Sequence, residues 1–281
     1  MTDLRFDGRV VVITGAAGAL GAAYARGFAA RGASLVLGDI DANGLDDLAT
    51  ALPSAVAVPG EATNPGPLID RALGAFGRLD AIVANAGILR DASYAKMTHK
   101  AWTEVLSVHL EGTHALVQAA WSQMKRARFG RILVTTSASG LHGQFGQANY
   151  ASAKMGIVGL MRALAVEGKR YDIGVNAIAP IAASALTKGA FPPAVQSGLS
   201  PDAVAPVALW LCHPEFKGSG QIVETGGGWI AALRWQQSEG VRLPDGAEPE
   251  SVRDSWESVT NFDDSHYPTG AETSFFRAVR S

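Results

Sequence analysis

The feature that most constrains the fold is a short apolar strand followed directly by a glycine-rich turn and a helix. A buried strand is predicted over residues 9–14, the turn over residues 15–21, and a helix over residues 22–31 that stops at Gly32. Small residues let the backbone approach a pyrophosphate, and the helix N-terminus offers unpaired N–H groups and a positive dipole. Glycine also serves ordinary tight turns, but the position after the first strand favours a phosphate-binding turn.

A carboxylate stands at the end of the second predicted strand. This strand covers residues 34–38, and Asp39 follows it. In a dinucleotide fold this position faces the adenosine ribose, where a carboxylate accepts from the 2′-hydroxyl and repels a 2′-phosphate. No arginine follows Asp39, so the sequence favours NAD over NADP. The alternative is that Asp39 caps a helix beginning near Asp41.

The rest of the chain alternates strands and helices. Further strands are predicted over residues 55–59, 80–84, 131–136, 173–180 and 221–224, with helices after Pro65, over 100–126, from Asn149 and over 201–212. This alternation predicts the α/β class, with a Rossmann-type doubly wound parallel sheet and helices on both faces. A loop rich in small residues is expected over residues 139–146, a mobile lid over residues 181–200, and the end of the sheet near residues 226–228.

Composition and charge exclude several classes of protein. Of the 281 residues, 47% are hydrophobic and 18% charged, which suits a filled core and argues against disorder. The net charge of −2 provides no basic field for nucleic acid or an anionic membrane. The single cysteine, Cys212, excludes an internal disulfide framework and a thiolate metal cluster. With no apolar signal core or membrane-spanning run, the chain is expected in the cytoplasm, without a metal.

Three polar residues form a candidate catalytic group. Ser137 follows the strand over residues 131–136, while Tyr150 and Lys154 are four positions apart on the next helix and share one face. A nearby ammonium favours the phenolate and lowers the tyrosine pKa from its ordinary value near ~10. Such a phenol can exchange a proton with an alcohol or carbonyl oxygen, which Ser137 could also bind. An exposed Tyr–Lys pair without a catalytic role is the alternative.

Together these motifs resemble the short-chain dehydrogenase/reductase family over residues 5–230. The resemblance rests on T14-G-x-x-x-A-x-G21, N85-A-G87, Ser137, Y150-x-x-x-K154 and N176-x-I-x-P180. It implies that Tyr150 is the general acid/base, that Lys154 lowers its pKa and holds the nicotinamide ribose, and that Ser137 orients the substrate oxygen. The implied cofactor pocket comprises Gly15, Gly18, Ala19, Leu20, Gly21, Asp39, Glu61, Ala62, Asn85, Ala86, Gly87, Tyr150, Lys154, Pro180 and Thr187.

The sequence departs from the family pattern at three positions. Ala19 replaces the middle glycine of the turn, and Glu61 stands where many members have aspartate near the adenine. His109 occupies the place of a fourth catalytic residue, usually asparagine. Either a core histidine or a water-relay role is compatible with this position.

A narrower resemblance carries the substrate expectation. The segments R90-D-A-S93, V108-H-L110, F145-G-Q-A-N-Y150 and G228-W-I230 are similar to the (3R)-hydroxyacyl-CoA dehydrogenase part of peroxisomal multifunctional enzyme type 2 and its stand-alone bacterial relatives. This resemblance implies oxidation of a fatty or steroid 3-hydroxyacyl-CoA. A hydroxysteroid or other secondary-alcohol dehydrogenase, an NADPH-dependent reductase and a non-catalytic binding protein remain alternatives.

The chain is expected to divide into a dehydrogenase domain over residues 1–230 and an extension over residues 231–281. The extension carries the aromatic residues Trp235, Trp256 and Phe262. Buried tryptophans bring a large contact area, so the extension is predicted to pack on the body or on a partner subunit of a homodimer or homotetramer. A loosely attached tail is the alternative.

Overall fold

The structure is a computed structural model that describes residues 3–184, 187, 196–268 and 270–279. The chain divides into two compact units, residues 1–232 and residues 233–281. Half of the predicted lid over residues 181–200, namely residues 185, 186 and 188–195, lies outside the described residues.

The first unit is built on an eight-stranded sheet with the strand order β3-β2-β1-β4-β5-β6-β7-β8. Its strands are β1 Val10–Thr14, β2 Ser34–Asp39, β3 Ala55–Pro59, β4 Ala81–Ala84, β5 Gly130–Thr135, β6 Ile173–Pro180, β7 Ile222–Gly226 and β8 Trp229–Leu233. From β3 to β7 every neighbouring pair is parallel, with Val12 of β1 opposite Val36 of β2 and Ile82 of β4. These strands confirm the doubly wound α/β fold.

Helices cover the sheet between its strands. They are α1 Ala19–Ala30, α2 Ala42–Thr50, α3 Gly66–Phe76, α4 His99–Leu106, α5 Gly112–Ala127, α6 Ala138–His142, α7 Ala148–Gly168 and α8 Ala205–Cys212. A π-helical segment, Ser107–Glu111, joins α4 to α5. Short 3₁₀ turns lie at Tyr94–Lys96, Lys169–Tyr171 and Pro201–Ala203.

The central strands are buried on both faces, which explains their continuous β-branched sequence. All five residues of β1 are buried. On one face of the sheet, α1 and α8 enclose Tyr24, Phe28 and Leu209, and Phe6 packs edge-on against Phe28 with ring centroids 5.0 Å apart. Truncation of a core phenylalanine of this kind costs about 3–5 kcal/mol.

Two local predictions were wrong. The expected loop over residues 139–146 contains α6, because Ser137 accepts from the Ser139 backbone N–H (3.2 Å) and caps a short helix. The sheet does not end near residues 226–228, since Gly227 and Gly228 both have positive φ, 57° and 83°, and turn the chain into β8. A two-residue turn of this type joins antiparallel strands.

The second unit has its own small elements. They are β9 Gln237–Ser238 paired antiparallel with β10 Ser265–His266, together with the helices α9 Pro249–Val259 and α10 Ala271–Val279. Arg277 on α10 forms an ion pair with Glu239 at 2.7 Å, and the Arg234 guanidinium lies over the Tyr267 ring. Among the residues that the structure describes, no helix is both long and apolar enough to cross a membrane.

Candidate active site

Tyr150 and Ser137 meet at the carboxyl end of β5. Ser137 lies two residues after the end of this strand, and Tyr150 lies in the first turn of α7. The Ser137 side chain forms a hydrogen bond with the Tyr150 phenol, which is largely shielded from solvent. A hydroxyl and a phenol side by side can share one substrate oxygen, and that is the arrangement a proton transfer to or from an alcohol needs.

Lys154 lies one helical turn beyond Tyr150 and is buried. Its Nζ donates to the backbone oxygen of Thr135 at 2.8 Å, and Thr136 Oγ1 donates to the Lys154 backbone oxygen at 2.9 Å. The lysine Nζ is 5.5 Å from the centroid of the Tyr150 ring. The end of β5 therefore fixes both the side chain and the backbone of Lys154.

The predicted lowering of the Tyr150 pKa is not found. Burial raises the pKa of Tyr150 above its ordinary value of 10, the Ser137 hydrogen bond opposes this, and the Asp91 charge adds to the rise. Burial also lowers the pKa of Lys154 to about 7. Desolvation disfavours the charged forms of both side chains, and for Tyr150 this burial outweighs the neighbouring lysine.

Asn149 is a site residue that the sequence analysis missed. It is fully buried; its Nδ2 donates to the backbone oxygens of Arg90 and Ala101, both at 3.1 Å, and its Oδ1 accepts from the Tyr150 N–H at 2.8 Å. These bonds tie the start of α7 to the segment after β4 and to α4. An asparagine at a helix start is an ordinary turn signal, and nothing local in the sequence reveals its distant partners.

His109 lies beside Tyr150. It is buried within the π-helical segment, with ring centroids 5.1 Å apart and the two planes at 89°. Its Nε2 is 2.8 Å from the backbone oxygen of Ile88 and 3.0 Å from its nitrogen. Burial is the main cause that lowers the pKa of His109 to about 3.

The glycine-rich turn makes the close backbone approach that its composition predicts. Gly15 has a φ of +66° and packs on Ala86, while Gly21 lies against the Gly15 carbonyl with no room for a side chain. Gly18 is the N-cap of α1 and provides no side-chain cap for the first-turn N–H groups of Ala19, Leu20 and Gly21. A helix N-terminus without a side-chain cap suits an anionic phosphate.

Asp39 is not the cap of α2. Asp41 has that role, accepting from the Gly44 N–H at 3.1 Å. The Asp39 carboxylate instead accepts from the Ala17 N–H at 3.0 Å and the Asp41 N–H at 3.1 Å, which fixes it beside the glycine-rich turn. Asp39 is half-buried, so its carboxylate can still meet a ligand.

The turn after β4 is held to the end of β1. The Asn85 backbone N–H donates to Thr14 Oγ1 at 3.1 Å, and its side chain donates to the Gly15 backbone oxygen at 3.1 Å. Ala86 and Gly87 follow in the same turn. Because the strand order reverses between β1 and β4, this is the switch point at which open α/β sheets bind ligands.

The remaining predicted pocket residues are more scattered. Ala62 lies against Gly112 of α5, whereas Glu61 is exposed and its carboxylate accepts from Thr63 Oγ1 at 3.4 Å. Pro180 ends β6. The Thr187 hydroxyl donates to the Ala182 backbone oxygen at 2.9 Å and accepts from the Ser184 N–H at 2.8 Å. In this structure Thr187 therefore stabilises its own turn.

The fold and the site together define an α/β oxidoreductase with a dinucleotide-type phosphate turn at the switch point of its sheet. The sequence model described as short chain dehydrogenase matches residues 9–191. The chain belongs to the short-chain dehydrogenase family, whose members act on a CH–OH group and generally use a nicotinamide cofactor.

Similar proteins extend the match beyond this core. Peroxisomal multifunctional enzyme type 2 of Mus musculus is 42% identical over 95% of this chain and 38% of its own length. A putative short-chain dehydrogenase/reductase of Mycobacterium tuberculosis is 38% identical over 90% of this chain and 94% of its own. The full-length structure of the Drosophila melanogaster multifunctional enzyme type 2 has a TM-score of 0.85 at 36% identity and covers 97% of this chain and 49% of its own. This chain thus spans less than half the length of the two multifunctional enzymes.

Proposed function

We propose that this protein oxidises a (3R)-3-hydroxyacyl-CoA, on a fatty or steroid side chain, to the 3-ketoacyl-CoA with NAD. The observation that carries the chemistry is the contact between Ser137 and the Tyr150 phenol, with Lys154 buried one turn away. The substrate class is supported by similarity to the multifunctional enzymes across 95% of the chain.

Each residue of the group has a distinct task in this proposal. Ser137 binds the substrate oxygen and holds it beside Tyr150. The Tyr150 oxygen accepts the proton of the substrate hydroxyl while the C–H bond of the carbon that carries this hydroxyl breaks. When bound, NAD supplies the acceptor for the hydride that leaves this carbon. Lys154 holds the nicotinamide ribose, and its Nζ has donors left beyond the one on Thr135.

The residues present fit a dinucleotide. The close packing of Gly15 and Gly21 keeps side chains away from the position of a pyrophosphate, and the N-terminus of α1 has no side-chain cap. Asp39, fixed by Ala17 beside this turn, would accept from the ribose 2′-hydroxyl. A 2′-phosphate at this place would meet a carboxylate, which is why we propose NAD rather than NADP.

The second candidate function is a reductase that uses the same catalytic residues in the opposite direction. Burial raises the pKa of Tyr150, so the free protein holds a neutral phenol at neutral pH. A neutral phenol is the acid that carbonyl reduction requires, whereas oxidation requires its deprotonated form. Oxidation rates should therefore rise with pH on the alkaline side of neutrality, and reduction rates should fall.

The deciding experiment is a substrate and cofactor panel that follows NADH absorbance. The (3R)-3-hydroxyacyl-CoA should be oxidised much faster than its (3S) isomer, its free acid or a free hydroxysteroid. Remote binding energy from the CoA part can orient the reacting carbon, so truncated substrates should lose turnover as well as affinity. Equal rates on a free hydroxysteroid and on the thioester would contradict the substrate class and favour a general secondary-alcohol dehydrogenase.

We also propose a cytoplasmic enzyme that forms a homodimer or homotetramer. The sequence has a single cysteine, Cys212, which is buried and forms no disulfide, and this suits a reducing compartment. Trp210 on α8 and Val166 on α7 are exposed apolar residues of the first unit that a partner subunit would cover. Sedimentation of the purified chain tests the assembly.

A further inference from the structure

A cavity of about 620 Å³ lies at the amino edge of the sheet, where the parallel strands begin. Its walls come from the residues just before β1, β4 and β5, together with the ends of α3 and α5. This volume falls in the range of small-molecule sites, about 300–1,000 Å³. None of the residues that line the cavity belongs to the candidate active site, which lies at the carboxyl ends of the strands.

Arginine is the main charged residue of this cavity. Arg9, Arg78 and Arg126 line it, and Asp80 is the acidic residue beside them. Among the described residues of the lining, three guanidinium groups therefore meet one carboxylate, which leaves a surplus of two positive charges. The net charge of the whole chain is −2, so this surplus belongs to the cavity and not to the protein as a whole.

Asp80 leaves most of the arginine donors unused. A guanidinium has five N–H groups. Arg9 donates one of them to Asp80 at 2.8 Å, and Arg78 donates two at 2.7 and 2.6 Å. The two side chains are also 32% and 49% exposed, so their remaining donors are accessible. A second anion can therefore bind here without displacing Asp80.

Arg126 is the cation of this cavity without a partner. It is exposed and forms no hydrogen bond or ion pair with any residue that the structure describes. A basic residue in the last turn of a helix is favoured by the helix dipole, and Lys125 shares this turn. The Lys125 ammonium, however, lies over the Tyr171 ring at 4.9 Å and does not line the cavity. Of the two cations, only Arg126 therefore presents unused donors to this space.

The lining favours an organic phosphate. The planar fork of arginine matches phosphate oxygens, and a phosphomonoester carries a charge of about −1.5 to −2 at neutral pH, which matches the surplus. Leu73 and Phe129 add apolar surface beside the arginines, and Gln123 adds an amide. A free inorganic ion would contact the arginines but leave the apolar surface uncovered.

We propose that this cavity binds a small phosphomonoester, with the phosphoryl group on Arg9, Arg78 and Arg126 and the organic part against Leu73 and Phe129. Such a ligand joins the end of α5 to the starts of β1 and β4, so its binding stabilises the folded protein. The inference does not rest on the proposed function.

The first test is calorimetric titration of the purified full chain at constant ionic strength with phenyl phosphate and with inorganic phosphate. Phenyl phosphate should bind about 10-fold more tightly, because its ring buries apolar surface. Equal affinities would overturn the assignment to an organic phosphate. If neither compound bound, the site itself would be excluded.

Arg126→Gln is the main variant, because it removes one charge and no contact within the protein. Affinity for phenyl phosphate should fall by roughly 10-fold or more, since hydrogen bonds between charged groups are the strong ones. Arg128→Gln is the matched control. Arg128 is exposed, donates to the Arg170 backbone oxygen at 3.2 Å and does not line the cavity, so this variant should bind like the wild type. A phosphate that bound at the N-terminus of α1 instead would be insensitive to both changes, and that result would contradict the proposal.

Asp80→Asn should have the opposite effect on binding. It removes the competing carboxylate, raises the charge surplus and releases donors of Arg9 and Arg78. We expect phenyl phosphate to bind several-fold more tightly and to raise the midpoint of thermal unfolding further than in the wild type. Weaker binding by an Asp80→Asn protein whose circular dichroism spectrum shows it to be folded would overturn the proposal. These measurements need no enzyme activity, so failure of every hydroxyacyl-CoA as a substrate would not affect them.

Discussion

The proton-transfer assignment is tested by removing a single oxygen. Tyr150→Phe keeps the ring that packs on His109 but removes the hydroxyl that contacts Ser137. We expect turnover to fall by ~10²–10⁴-fold, the usual contribution of a positioned acid or base, with NAD binding retained because the phosphate turn is untouched. Stopped-flow rates and NAD titration measure the two effects.

Tyr171→Phe is the matched control for this change. Tyr171 lies between the Lys125 and Arg170 side chains at the amino edge of the sheet, and a phenylalanine keeps both of those ring contacts. Its turnover should equal that of the wild type. If Tyr150→Phe retained a tenth of wild-type turnover or more, another group would have to carry the proton.

Cofactor choice depends on one carboxylate. A 2′-phosphate beside Asp39 would place like charges in contact, so NAD should be preferred by ~10²-fold or more in kcat/KM. Asp39→Asn removes the charge and keeps an oxygen for the Ala17 N–H, and it should narrow the preference mainly by admitting NADP. Asp41→Asn should leave the preference unchanged, because asparagine caps helices as well as aspartate. Equal use of NAD and NADP by the wild type would contradict the assignment of Asp39 to the cofactor pocket.

At the residue scale, the sequence could reveal only what is local. The four-residue spacing of Tyr150 and Lys154 and the position of Ser137 after a strand are readable from the chain, and the structure brings these residues together. The direction of the Tyr150 pKa could not be predicted, because burial decides it. Asn149 was missed because its partners, Arg90 and Ala101, are 59 and 48 positions away in the chain.

At the element scale, strands were more predictable than their connections. The predicted limits of β3 and β6 agree with the structure, because apolar β-branched runs in a parallel sheet have sharp ends. The π-helical segment and α6 were not foreseen. A π-turn leaves no mark on hydrophobic periodicity, and α6 depends on a cap made by Ser137, a residue that the sequence assigned to chemistry alone.

The glycine-rich turn provides an element-scale prediction. A Cβ on Gly21 would collide with the Gly15 backbone, so Gly21→Ala must separate α1 from the end of β1. We expect a loss of stability of about 1–3 kcal/mol from this overpacking, together with a marked loss of NAD affinity. Urea unfolding and calorimetric titration measure these quantities.

A glycine-to-alanine substitution at another position should stabilise the protein rather than destabilise it. Gly74 is an exposed residue of α3 with no atom within 4 Å of an added Cβ. Gly74→Ala should stabilise the protein by about 0.5–1 kcal/mol, because alanine is the better helix former. Unchanged NAD binding in Gly21→Ala would show that the close approach at the turn is not needed for the cofactor.

At the scale of the whole molecule, the order of the strands could be predicted from the sequence. The point at which the sheet ends could not. Right-handed crossovers between parallel strands leave few arrangements for an alternating β and α sequence, so the doubly wound sheet was predictable. The hairpin through Gly227 and Gly228 depends on backbone angles that glycine permits but does not require. The packing of the extension, residues 231–281, on the body or on a partner remains a proposal, since its sequence does not specify which surface its aromatic residues contact.

The whole-molecule prediction concerns the charge cluster at the amino edge of the sheet. Asp80, 4% exposed, lies just before β4; it accepts from Arg78 at 2.6 Å, from Arg9 at 2.8 Å and from the Val10 N–H of β1 at 2.9 Å. Burial alone would raise the pKa of Asp80, but the bonds from Arg78 and Arg9 outweigh it and hold the pKa below its ordinary value. This carboxylate links the start of β4 to the neighbouring strand β1.

Asp80→Asn should lower the free energy of unfolding by about 1–3 kcal/mol at neutral pH, since a charge-assisted bond is lost while both arginines keep access to water. A depressed pKa in the folded state gives stability that is present above the unfolded pKa near ~3.9 and disappears as the pH falls through the folded value. The difference in unfolding free energy between wild type and variant should therefore be full at neutral pH. It should begin to shrink near about pH 4 and vanish once the pH falls below the folded-state pKa. Asp202→Asn, which breaks an ion pair with Arg26 whose side chains are 54% and 70% exposed, should change little at either pH. A gap for Asp80→Asn that persisted unchanged into acid would show that shape, rather than charge, is what this residue contributes.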